Sequence, residues 1–146
     1  MTYVEFSPHS LGIDGVDMEA AANTEYSSSL IDLSGFRLFT AIIVISESGS
    51  SAGVCRLRLQ HYNDDDTAIG PKIDIVTLVS TATDALNCVV CWSGIEIVGS
   101  TNVINGTIGG AINAAGLPGK CKLILEVTTQ GTGGTSTADV YLKAQS

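Results

Sequence analysis

The sequence predicts an all-β fold, an antiparallel β-sandwich of about eight strands, and three observations carry that expectation. Three segments repeat one alternation of apolar and polar residues: Cys55-Arg56-Leu57-Arg58-Leu59-Gln60, Cys121-Lys122-Leu123-Ile124-Leu125-Glu126-Val127 and Ala138-Asp139-Val140-Tyr141-Leu142-Lys143-Ala144. A side-chain period of two places Cys55, Leu57 and Leu59 on one face and Arg56, Arg58 and Gln60 on the other, so each segment is buried on one side and wet on the other. From Leu33 onward, clusters of turn-forming residues interrupt apolar runs at intervals of about 8 to 12 residues, the spacing of sandwich strands. The composition agrees: 45% hydrophobic, 15% charged and 16 glycines in 146 residues describe a globular, turn-rich chain rather than a disordered one. One domain of this length can bury roughly two thirds of its unfolded surface.

Along the chain, residues 1–30 read as an extended N-terminal arm and residues 31–146 as the sandwich domain. The arm carries Pro8, Gly12, Gly15 and the run Ser27-Ser28-Ser29, with Tyr3-Val4-Glu5-Phe6 as a short strand and Asp17 to Ala22 as one helical turn too short to be stable alone. Phe36 to Ser46 is the most apolar strand, with Leu38, Ile42 and Val44 on one face and Phe39, Ala41, Ile43 and Ile45 on the other, which predicts a central position. The loop 47–53 turns the chain into Val54 to Tyr62, and Asn63-Asp64-Asp65-Asp66 turns it again toward Lys72 to Val79. Leu86 to Trp92 and Ile95 to Val98 follow, with Ser93-Gly94 as a bulge or bend between them. Asn105-Gly106 between β-branched pairs predicts a two-residue type I′ hairpin over Val103 to Ile108. Leu117-Pro118-Gly119 delivers Lys120 into the strand ending at Thr129, and Gly131-Thr132-Gly133-Gly134 joins it to Thr137 to Ala144.

The net charge of −8 repels phosphate backbones, and the seven Lys and Arg are scattered, so neither nucleic acid nor an anionic membrane surface is expected as a partner. No apolar run approaches the roughly 20 residues of a membrane-spanning helix. Met1-Thr2-Tyr3-Val4-Glu5 lacks the basic and apolar regions of a secretory signal, which predicts a soluble protein made and used without Sec export. Cys55, Cys88, Cys91 and Cys121 are then expected as reduced core thiols.

The motifs that could carry chemistry are each outweighed. Cys88-Val89-Val90-Cys91 has the spacing of a zinc or redox pair, but in a strand residues i and i+3 face opposite ways, so no metal and no cofactor are expected. The Asp64 to Asp66 run departs from the EF-hand pattern at Ala68 and Gly70 and reads as a hairpin tip, with a loose calcium site as the alternative. Gly116-Leu117-Pro118-Gly119-Lys120-Cys121 lacks the first glycine of a phosphate loop, places Cys121 where Ser or Thr should hold magnesium, and opens a strand rather than a helix. His9 and His61 are the only histidines and no nucleophile-elbow sequence accompanies them, so no catalytic residues are expected and the protein is not read as an enzyme.

The succession Ser29-Leu30-Ile31-Asp32-Leu33-Ser34-Gly35-Phe36, a long apolar strand, a polar glycine loop and Arg56-Leu57-Arg58-Leu59-Gln60 before an acidic tip resembles the small β-sandwich structural proteins of tailed bacteriophages. So does the ending, Lys122 to Thr129, a Gly-Thr loop and Ala138 to Leu142. The resemblance covers residues 29–146 and implies a jelly-roll head decoration, or cement, protein. Such a protein is made in the host cytoplasm, binds the capsid exterior, clamps adjacent major capsid protein subunits and assembles with itself as a dimer or trimer. On that reading the arm is the adhesive element, with Tyr3, Val4, Phe6, Leu11 and Ile13 spaced to add a strand to a neighbour or to lie in a groove between capsid subunits. The competing class is a carbohydrate- or receptor-binding sandwich of a tail or host-attachment protein, disfavoured because the chain is only 5% aromatic and its single Trp92 ends an apolar strand.

Overall fold

A computed structural model describes residues 2–48, 53–79, 86–93, 97–101, 106–108 and 119–146. Its elements are β1 (Tyr3–Phe6), α1 (Pro8–Leu11), β2 (Val16–Asp17), β3 (Thr24–Ser27), β4 (Ile31–Asp32), β5 (Leu38–Ser48), β6 (Val54–Tyr62), β7 (Ala68–Val79), β8 (Leu86–Trp92), β9 (Ile97–Thr101), β10 (Gly106–Ile108), β11 (Lys120–Thr129) and β12 (Thr135–Gln145). They form two antiparallel sheets. Sheet A runs β1-β12-β5-β8-β9 with β2 also on β12, and sheet B runs β10-β7-β6-β11-β3 with β4 also on β11. The chain passes between the sheets after β2, β4, β5, β7, β9 and β11, the crossing pattern of a jelly-roll-like sandwich.

The alternation read from the sequence is what the two sheets use. Cys55, Leu57 and Leu59 of β6, the odd-numbered Cys121 to Val127 of β11 and the even-numbered Ala138 to Ala144 of β12 face one shared core with Phe39, Ala41, Ile43 and Ile45 of β5. β5 is central, paired to β12 from Leu38 to Ser48 and to β8 from Phe39 to Ile45. Trp92 is buried as expected, its ring 5.6 Å from that of Phe39.

Several local expectations give way. The first helical turn lies at Pro8–Leu11, not Asp17 to Ala22. Ser7 accepts a hydrogen bond from Ser10 N at 3.2 Å, Pro8 pre-sets the first turn, and Gly12 closes it at φ 79. β7 starts at Ala68, four residues early, and its register against β6 slips between Leu57 and Arg58, which leaves Ile75 and Val76 both buried. A second slip lies between Leu59 and His61, and there Gln60 turns its amide onto the carbonyls of Ile69 (2.9 Å) and Gly70 (3.1 Å). Gln60, expected on a wet face, is therefore buried. β8 and β9 pair antiparallel, so the chain reverses after Ser93 rather than bending within one strand. Residues 102–105 of the expected hairpin lie outside the described residues; Gly106, expected in its turn, opens β10, which pairs with β7 in the other sheet.

The largest correction concerns residues 2–32, which are laid against the sandwich instead of standing off as an arm. β1 pairs with β12 from Tyr3↔Gln145 to Phe6↔Leu142, and β2 pairs with it at Ala138 and Thr137. Between them the chain dips inward. Leu11 and Ile13 retain 0% of their surface, the Leu11 carbonyl accepts from Ser29 N at 3.0 Å on the sheet B side, and the Ile13 carbonyl accepts from Val140 N at 3.1 Å on the sheet A side. Tyr26 adds a tie, its hydroxyl donating to the Asp17 carbonyl at 2.7 Å. Both side chains are apolar and sit where the two sheets would otherwise admit water, so the hydrophobic effect draws the segment in.

Leu11→Ala or Ile13→Ala should each lower stability by about 2–5 kcal/mol through cavity formation, whereas Tyr3→Ala should shift it by less than about 0.5 kcal/mol. Urea unfolding of the three variants checks this; near-neutral results for both core variants would return the segment to the status of a loose arm.

Candidate functional site

Of the five side chains assigned to adhesion from the sequence, the structure leaves one available. Tyr3 is 55% exposed, Val4 and Phe6 are half-buried against the core, and Leu11 and Ile13 are inside it. Tyr3 and Glu5 point outward from β1, and the strand registers carry two rows across the outer face of sheet A from them: Tyr3–Gln145–Leu38 and Glu5–Lys143–Thr40–Cys91. These rows frame a groove of about 180 Å³ lined by Tyr3, Leu38, Thr40, Lys143, Ala144 and Gln145. The Tyr3 hydroxyl donates to Glu5 Oε2 at 2.9 Å, which orients the ring at the groove's edge, and Lys143 Nζ lies 3.8 Å from the same carboxylate oxygen. The groove thus combines an exposed aromatic face with an ammonium, an amide and a hydroxyl.

The outer face of sheet B has the opposite character. Glu126, only 5% exposed, takes Arg56 Nε at 2.7 Å and Arg58 Nη1 at 3.2 Å on one oxygen. Arg58 Nε lies 2.9 Å from Asp74 Oδ1, and Lys72 of β7 meets Glu25 of β3 across the two intervening strands. Ile124 points outward from β11 between these groups and is nonetheless 3% exposed. Its direct cross-strand neighbour on β6 is Arg58. Hydrogen bonding from Arg56 holds the Glu126 carboxyl below the usual carboxylate range, with the Arg58 and Lys72 charges adding to it against the cost of burial; the same bond raises Arg56. This face satisfies its own charges rather than presenting them.

The remaining motifs resolve structurally. Cys88 faces the core, where burial pushes its thiol up to about 11, while Cys91 faces outward with Sγ 3.2 Å from Thr40 Oγ1, so the pair cannot converge on one ion. Cys121 is pushed up to about 12, chiefly by burial, and all four cysteines are free thiols. Among the described residues no three His, Cys, Asp or Glu side chains gather as metal ligands. The acidic tip is built by Asn63, whose Oδ1 accepts from Asp65 N (3.0 Å) and Thr67 N (2.9 Å). Lys120 Nζ then donates to Asp66 Oδ1 at 2.9 Å and to the Asp64 carbonyl at 3.3 Å. An ammonium from the chain itself occupies the carboxylate side of that loop, and Lys120 opens β11 with no helix behind it. His61 Nε2 is buried with no hydrogen-bond partner among the described residues. Sequence reasoning missed the groove because its residues come from three strands that only the register brings side by side; the outward phase of Tyr3 and Lys143 was the available signal.

No family model matches the sequence, and no curated protein is similar to it. Solved structures share its fold. The chain is similar to the structure of the infectious bursal disease virus Gx strain, with a TM-score of 0.56 and 8% identity over 98% of this chain and 32% of that one. T=1 particles derived from infectious bursal virus give a TM-score of 0.47 and 8% identity over 98% and 31%. The CBM2 module of the evolved Dit of Lactobacillus casei BL23 phage J-1 gives 0.47 and 9% identity over 87% and 75%. The chain spans about a third of the length of the two viral proteins. The likeness to the Gx strain structure agrees with the two sheets: the chain is a jelly-roll-like antiparallel β-sandwich.

Two outcomes follow from these geometries. Glu126 has a folded pKa below its unfolded one, so its contribution is present above the ordinary carboxylate value and fades as pH falls through and below it. Glu126→Gln should therefore lose about 1–3 kcal/mol at neutral pH, the cost of exchanging a charged acceptor for a neutral amide beside two half-buried guanidiniums, and should flatten the acid limb of the stability curve; an unchanged limb in urea titrations would refute this. Millimolar calcium should leave the thermal midpoint of the protein where it is, because an ion bound at the 64–66 loop would have to raise it.

Proposed function

We propose that the protein is a structural component of a tailed-phage virion: a head decoration, or cement, protein that sits on the capsid exterior and clamps neighbouring major capsid protein subunits. The observation that carries this reading is the single continuous core shared by both sheets and by the N-terminal segment. A clamp transmits load between the subunits it bridges, and a close-packed body with few independent parts deforms little. The paired charges on sheet B point the same way, since they stiffen a face instead of awaiting a substrate. The fold shared with a virus structure supports the reading, as does the strand cadence that resembles the decoration proteins.

On this reading the protein carries no catalysis and takes neither nucleic acid nor membrane as a partner, and its charge of −8 keeps it clear of the packaged genome. It works as a closed dimer or trimer at capsid symmetry axes. Because Leu11 and Ile13 belong to the core, capsid contact is made by the folded outer surface, and deleting residues 1–15 would test folding rather than adhesion.

Purified protein mixed with expanded heads of the virus that carries it should co-sediment saturably, with copies per head in a fixed ratio to capsid subunits. Protein that stays in the supernatant at micromolar concentration, with unexpanded and expanded heads alike, would overturn the assignment.

A further inference from the structure

We propose that the groove bounded by Tyr3 on the outer face of sheet A is a binding site for one neutral hexopyranose ring, presented at the end or branch of a glycan. It stands apart from the cement reading, because a decoration protein can hold a sugar without using the side that meets the capsid, and it gives the sugar-binding alternative raised by the sequence a location.

Four features argue for this occupant. Tyr3 is the one exposed large aromatic among the described residues, at 55%, and a tyrosine face, negative at its centre, suits the axial C–H groups of a pyranose. Its hydroxyl is held by Glu5 at 2.9 Å, so the ring is oriented before a ligand arrives and little rotamer freedom is lost on binding. Beside Tyr3, the groove is lined along two adjacent rows by the Thr40 hydroxyl, the Lys143 ammonium and the Gln145 amide, the mixture of polar groups that sugar hydroxyls meet, with Leu38 as apolar lining. The volume of about 180 Å³ suits a single ring rather than a chain of them.

Charge narrows the class. Lys143 is partnered by Glu5 at 3.8 Å, so the groove is close to neutral, and a molecule of net charge −8 repels a polyanionic glycan. A free carboxylate or phosphate ligand would lack an unpaired cation here.

The test is amide chemical-shift titration of the full chain with the methyl glycosides of glucose, galactose, mannose and N-acetylglucosamine at millimolar concentrations. At least one should produce saturable shifts confined to residues 3–5, 38–40 and 143–145. Tyr3→Ala should weaken that binding tenfold or more without moving the thermal midpoint, Lys143→Met should weaken it severalfold, and Tyr3→Phe should retain most of it because the ring face remains. Absence of saturable shifts with all four glycosides, or shifts that survive Tyr3→Ala, would overturn the proposal. Head co-sedimentation of Tyr3→Ala is read separately: lost head binding by this variant, when the wild-type chain shows no saturable glycoside shifts, would give the groove to the capsid and likewise refute the sugar site, whereas normal head binding by a variant that has lost the wild-type sugar binding supports it.

Discussion

Everything in this fold depends on closing the side of a two-sheet sandwich. Two stacked sheets bury their facing surfaces well, but along their margins the core opens to water. Here the margin beside β12 is closed by the chain's own beginning, which adds β1 and β2 to the edge of sheet A and drops Leu11 and Ile13 between the layers. The backbone groups of that segment are satisfied on both sides, by Val140 from one sheet and by Ser29 beside the other. Covering an edge strand also removes a template for unwanted pairing, which an exposed β12 would present along eleven residues.

The second constraint is electrostatic. Sheet B faces outward with Arg56, Arg58, Asp74 and Glu126, and packing draws these groups part of the way out of water. A half-desolvated charge is tolerable only when paired, and Glu126 answers two guanidiniums with one oxygen while Asp74 meets Arg58 from the other side. The arrangement contributes specificity of register: Arg56↔Glu126 are direct cross-strand partners, and a slip of one residue would send the carboxylate into the core and Leu125 to the surface.

These two devices leave an unequal pair of outer faces. One is laced by its own ion pairs. The other retains, at its β1 end, a shallow groove with an oriented tyrosine.

What the sequence determined by itself was the local periodicity. The alternations in β6, β11 and β12, the central place of β5, the burial of Trp92 and the opposed faces of Cys88 and Cys91 all follow from a side-chain repeat of two, a property of the backbone that needs no knowledge of neighbours. What only the tertiary structure decided was long-range. The hydrophobicity of Leu11 and Ile13 reads the same whether they wait for a partner or plug the chain's own core, and only the gap beside β12 settles which. Gln60 and Glu126 look solvated in their strands until the bulge in β7 and the Arg pair close on them. The groove exists because β1, β12 and β5 lie in register, residues 3, 145 and 38 and residues 5, 143 and 40 meeting across sequence distances that no local pattern encodes.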